Sequence, residues 1–128
     1  MLSYLGIAVG SALGGVGRHW CSVLIARHFG ETFPWGTLLV NVLGSLLIGL
    51  FAALTGPDGR WFLGPTARQF FMIGVFGGFT TFSSFSLQTL NLVQDGDWFR
   101  ACANIAGSVL LCLIGVWLGH VIGVTVNR

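Results

Sequence analysis

The sequence predicts an all-α membrane protein with four membrane-spanning helices per subunit, the third of them broken mid-membrane. Three observations carry that prediction. First, 54% of the 128 residues are hydrophobic and only 8% are charged. A water-facing surface needs about 25% charged residues in an ordinary soluble domain, so lipid is the solvent for most of this chain. Second, the apolar residues gather into four stretches of at least the roughly 20 residues that cross a bilayer. Third, all four acids, Glu31, Asp58, Asp95 and Asp97, fall between those stretches.

The single domain, residues 1–128, divides in order as follows. The first span covers about residues 3–29. It has no basic n-region and runs past the length of a signal peptide, so it reads as a retained span. The second covers about residues 35–54, the third about 66–93 and the fourth about 99–126. Turn and charge signals mark the connectors: Gly30-Glu31-Thr32-Phe33-Pro34, Gly56-Pro57-Asp58-Gly59-Arg60 and Gln94-Asp95-Gly96-Asp97. Trp35, Trp61 and Trp98 stand at span ends, where amphipathic rings anchor to the membrane interface.

The formal net charge of +2 gives no reason to expect nucleic acid as a partner. With four spans, Arg60, Arg68 and Arg128 belong to one side of the membrane, and Arg18, Arg27 and Arg100 lean to the other. Arginine imbalance is what orients a membrane protein, so this balance fixes no orientation: it reads either as copies that insert both ways up or as a weak bias hidden by the side on which Arg18 is counted. Glycine rows at small-xxx-small spacing, Gly6-Gly10-Gly14 and Gly115-Gly119-Gly123, let helices approach closely in lipid. They read equally as packing within one subunit or as a dimer seam. Cys21, Cys102 and Cys112 match no metal or redox spacing and are expected to be buried free thiols.

The third span is unusual. Gly77-Gly78-Phe79-Thr80-Thr81-Phe82-Ser83-Ser84-Phe85-Ser86 combines paired glycines with a run of hydroxyl residues, poor material for an uninterrupted helix. A break is expected around Gly77 to Thr81, and at membrane depth it must be buried in protein or line a cavity. Phe82 and Phe85, three residues apart, share a helix face. Alone they would read as lipid contacts. Among Thr81, Ser83, Ser84 and Ser86 their positive ring edges can instead meet an anion beside hydroxyl donors. Thr37, Asn41 and Ser45 form a polar row on the second span, and Asn104, Ser108 and Cys112 form another on the fourth. Each row reads as interhelical glue or as a pathway lining. Neutral donors with no carboxylate in any span suit an anion path better than a cation or proton path. Arg18, within the first span, either draws anions to a vestibule or pairs with a neighbour. His19, His28 and His120 belong to no recognisable catalytic set, so no enzyme is expected.

The third-span string resembles the signature of the Fluc (CrcB) family of bacterial fluoride channels. Gly36-Thr37-Leu38-Leu39-Val40-Asn41 is similar to that family's second-span motif, and Gly14 to Arg18 to its first-span glycine-arginine stretch. The resemblance runs over essentially the whole chain. It implies an antiparallel, dual-topology homodimer in the bacterial inner membrane, with two pores through which fluoride leaves a cell that acquired it as hydrogen fluoride. It further implies a structural sodium ion at the dimer centre, held by backbone carbonyls of Gly77 and Thr80. Phe82 and Phe85 would form an aromatic box, with Ser83 and Thr37 nearby. Asn41 would be a pore donor, Asn104, Ser108 and Cys112 a polar track, and Arg18 a vestibule residue. Members often carry an acidic residue where this chain has Gln88, a tyrosine where it has Asn104, and a hydroxyl where it has Cys112.

Two other functions compete with the channel. A small dual-topology exporter of cationic drugs has a similar size, but it needs a membrane-embedded carboxylate to exchange protons for cations, and none is present. A non-conducting membrane scaffold would use the polar rows as glue only.

Overall fold

Three helices of this chain are long and apolar enough to cross a membrane, which makes it a multi-pass membrane protein. The structure, a computed structural model, describes all 128 residues. Its elements are α1 (Leu2–Phe29), α2 (Trp35–Leu54), α3 (Pro65–Gln69), a π-helical segment (Phe70–Phe76), α4 (Gly77–Phe79), α5 (Phe82–Gln94) and α6 (Trp98–Asn127). The three apolar crossings are Trp35–Leu54, the interrupted stretch Pro65–Gln94 and Trp98–Asn127. α1 has the length, at 28 residues, but Arg18, His19, Arg27 and His28 dilute its hydropathy. No strand is present.

Local chemistry sets the element ends. Gly30 closes α1 with φ of 81°, a backbone angle that suits glycine, and its amide donates to the Ala26 carbonyl at 2.8 Å. Pro65 opens α3 from the first helical position, where its missing N–H costs nothing. Asp97 caps α6: its carboxylate accepts from the Arg100 amide at 3.1 Å and from the Arg100 guanidinium at 2.9 Å. At the other end of α6, Asn127 donates to the Ala53 carbonyl at 2.9 Å and accepts from the Arg60 amide at 3.0 Å. The end of α6 and the connector after α2 are thereby tied together at one end of the bundle.

Two close seams hold the fold. In the first, α6 lies along α2, with Gly115, Gly119 and Gly123 turned toward Val42, Leu46 and Leu50. A Cβ added at Gly119 would strike the Leu46 carbonyl, so nothing larger than glycine lets these backbones meet. In the second, α1 lies against the third stretch, where Gly10 faces Gly74 and Gly14 faces Val75 and Phe79. Both glycine rows therefore serve packing inside one chain, although Gly6 touches only the edge of Phe70.

The cysteine expectation needs correction. All three thiols are free, but Cys102 is exposed and Cys21 and Cys112 are half-buried. The reason is geometric: α6 buries a single stripe, running through Ala101, Asn104, Ser108, Gly115, Gly119 and Gly123, and Cys102 lies off it.

Candidate functional site

The interruption of the third stretch falls on two threonines. Thr80 and Thr81 are extended, at φ −86°, ψ 156° and φ −151°, ψ 118°. The break lies within the stretch expected from the sequence, but Gly77 and Gly78 themselves remain helical. The glycine at 78 has a different task, because a Cβ there would lie 2.6 Å from the Ser11 carbonyl of α1. The threonine hydroxyls compete for the backbone on both sides of the break. Thr81 Oγ1 accepts from the Ser84 amide at 3.2 Å as the N-cap of α5, and Thr80 Oγ1 turns back to the Phe76 carbonyl at 3.0 Å.

α2 supplies the other half of the arrangement. Gly44 lets the Thr80 methyl approach, and one turn earlier Asn41 meets the Thr81 backbone with both ends of its amide. Its Nδ2 donates to the Thr81 carbonyl at 2.9 Å, and its Oδ1 accepts from the Thr81 amide at 2.7 Å. Beside this clamp opens a cavity of about 370 Å³. Its walls include Asn41, Ser45, Thr80, Thr81, Phe82, Phe85, Ser108 and Cys112, and no carboxylate. The Phe82 and Phe85 rings have centroids 5.2 Å apart and planes tilted by 52°. Phe85 is buried, whereas Phe82 is 75% exposed.

The cavity thus gathers Asn41, Phe82, Phe85, Ser108, Cys112 and Thr80 from the candidates read in the sequence. The others lie elsewhere. Asn104 is buried in a relay: it accepts from Ser108 Oγ at 3.3 Å and donates to Thr89 Oγ1 at 2.9 Å, which donates to the Phe85 carbonyl at 2.8 Å. Ser83 is exposed, its Oγ 3.3 Å from Thr81 Oγ1. Thr37 lines a second, wider cavity of about 880 Å³ near the α1–α2 and α5–α6 connectors. Arg18 is half-buried on α1 and lines neither cavity. Gly77 lies one turn before the break.

The wider cavity gathers five of the chain's ten charged residues. Arg27 and Arg100 line it together with Glu31, Asp95 and Asp97, and Gln88 lies among them. The Gln88 Oε1 is buried without a donor. The sequence marks Thr81 as part of the break and as a hydroxyl beside the rings, but not as Asn41's partner. A residue row on α2 alone has no means of showing what stands opposite it.

For a cation, the chain offers no group of three or more His, Cys, Asp or Glu side chains. What it does offer is carbonyl oxygen. In a continuous helix the Thr81 amide would serve the Gly77 carbonyl, and the Ser84 amide the Thr80 carbonyl. Here those amides go to Asn41 and to Thr81 Oγ1. Freed carbonyls at a helix break are ligands suited to a hard monovalent cation.

The family model described as CrcB-like protein, Camphor Resistance (CrcB), matches residues 5–120. The chain belongs to the CrcB-like family. Among its relatives, a protein of Opitutus terrae is 64% identical over 127 residues, covering 99% of this chain and 96% of that protein. One from Paramagnetospirillum magneticum is 59% identical over the whole of both chains. A third, from Rhodospirillum rubrum, is 60% identical over 99% of this chain and 98% of that protein. Each is named "Fluoride-specific ion channel FluC". This CrcB-like chain matches them along its whole length, connectors included, so the break and both cavities lie within the shared region.

Proposed function

We propose that this protein is a fluoride-selective channel of the bacterial inner membrane that lowers cytoplasmic fluoride by passive efflux. The observation that carries the reading is the smaller cavity, where two tilted aromatic rings stand beside the Ser45 hydroxyl and the Asn41 N–H that is not given to Thr81, with no carboxylate. Ring edges and neutral donors attract a small anion without binding it so tightly that it cannot leave. Fluoride is the ion in the names of its relatives. The working unit is an antiparallel, dual-topology homodimer in which α1 is the fourth span. Two features support it: the balanced arginines, and the poor cover of α5, which buries only Phe85 of its 13 residues and leaves Phe82 open. A second copy would cover this hydroxyl-rich face better than lipid does.

In the dimer each of two pores runs past Asn41, Phe82, Phe85 and Ser83, along Ser108, Asn104 and Cys112. Thr37 lines the wider cavity as an entrance, and Arg18 acts at a vestibule completed by the partner subunit. The Gly77 and Thr80 carbonyls hold a structural sodium ion at the centre, which ties the two copies together. The absence of a carboxylate from the cavity weighs against a proton-coupled cation exporter. No step requires a catalytic group.

Liposomes containing the purified protein, with potassium and an ionophore as counter-current, test the reading with a fluoride electrode. Fast fluoride release with negligible chloride release is expected. Folded protein that releases neither ion would overturn the channel and leave the scaffold.

A further inference from the structure

The two threonines of the break leave little hydrogen-bonding capacity unused. The Thr80 amide and hydroxyl both return to the Phe76 carbonyl at 3.0 Å. The Thr81 hydroxyl accepts from the Ser84 amide and donates to Ser84 Oγ at 3.1 Å. The Thr81 amide and carbonyl are both taken by Asn41. The Thr80 carbonyl is left over, and so is the Gly77 carbonyl, whose helical donor has been drawn away.

The two diversions differ in kind. That at Ser84 is local, made by a side chain three residues earlier, and it accompanies any threonine N-cap. That at Thr81 comes from another helix, 40 residues away in sequence. At 2.7 Å and 2.9 Å its two bonds are well formed. A carboxamide can accept and donate at once, and so pairs with both backbone groups of one extended residue. Leucine does neither, and ionised aspartate cannot donate.

We infer that Asn41 is a positioning residue for the cation: by holding the Thr81 amide it keeps the Gly77 carbonyl out of the helical ladder and free to act as a ligand. The inference rests on the sodium reading above. It gives Asn41 a task beyond lining the anion path and couples the two ions through one side chain. Without the clamp, Thr81 is free to turn helical, its amide closes on Gly77, and the cation loses an oxygen.

The test is thermal unfolding of the purified full-length protein, with sodium chloride titrated against N-methylglucamine chloride at constant ionic strength. A ligand that binds only the folded state raises the midpoint with concentration, so the titration reports sodium affinity without any flux measurement. The wild type is expected to gain stability with sodium. Asn41→Leu is expected to need about tenfold more sodium for the same gain, from the loss of two hydrogen bonds. Should Asn41→Leu fail to fold, Asn41→Ala is read in the same way, with the same direction expected. A folded variant with wild-type sodium dependence overturns the positioning role while the sodium reading stands. A wild type indifferent to sodium overturns the sodium reading, and this inference with it.

Discussion

The α2–α6 seam and the stretch Pro65–Gln94 are made of similar apolar, glycine-bearing sequence, yet they reach opposite states. Along the seam both helices are continuous, and glycines bring backbone against backbone. Along the third stretch the ladder first widens into a π-helical segment at Phe70–Phe76 and then stops at Thr80 and Thr81. Glycine does not make the difference, since Gly74, Gly77 and Gly78 all sit in helical turns. Hydroxyl side chains compete with the backbone for its own hydrogen bonds, and a neighbouring asparagine completes the competition. One region is a continuous close-packed seam, and the other gives up regular hydrogen bonding where Thr80, Thr81, Phe82 and Phe85 line a cavity.

The seam is broken most severely at Gly119. Gly119→Leu drives a side chain into the Leu46 carbonyl and is expected to cost about 3 kcal/mol or to abolish folding, visible as loss of the folded species in size-exclusion chromatography. The opposite result belongs to the third stretch. Phe82→Ile and Phe85→Ile are each expected to cut fluoride flux in liposomes by about tenfold or more while the elution profile stays unchanged, because the lost ring edge contributes to ion passage rather than to the seam. Stability loss with unaltered flux would make both rings mere packing.

Smaller effects sharpen the contrast. Thr81→Val removes the cap of α5 and leaves the Asn41 clamp on the backbone intact, so a loss of about 1 kcal/mol in thermal or denaturant unfolding is expected. A loss several times larger would mean that the hydroxyl, rather than Asn41, holds the break open. The smallest change is Cys112→Ser. The thiol lines the cavity but takes part in no hydrogen bond, and a hydroxyl is the better donor. Fluoride efflux equal to or above that of the parent is expected, and a large drop would remove Cys112 from the pathway.

Much of this could be read in advance because the governing effects are local. The outer ends of the four stretches fall within a residue of the apolar runs bounded by glycine, proline and acids, since hydropathy and turn chemistry act over a few neighbours. The break was visible in Gly77-Gly78-Phe79-Thr80-Thr81 for the same reason. Its placement on the threonines was not, because Gly78 is claimed by a close approach to Ser11 that the third stretch by itself does not reveal. The polar rows were legible as rows. That Asn104 turns to Thr89, and that Thr37 opens into a different cavity from Asn41, depends on which helix lies opposite.

The membrane class, the outer ends of the helical stretches and their freedom from carboxylates follow from composition and short-range spacing, and the family follows from motifs written in single runs of residues. Packing between helices sets the rest: both glycine rows close seams inside the chain, and Arg18 stands apart from both cavities of the subunit. It also directs the Asn41 amide to Thr81. Those outcomes depend on hydrogen bonds and contacts between residues tens of positions apart, such as the 40 that separate Asn41 from Thr81. Only the packing of α2 against the break brings the two within bonding distance.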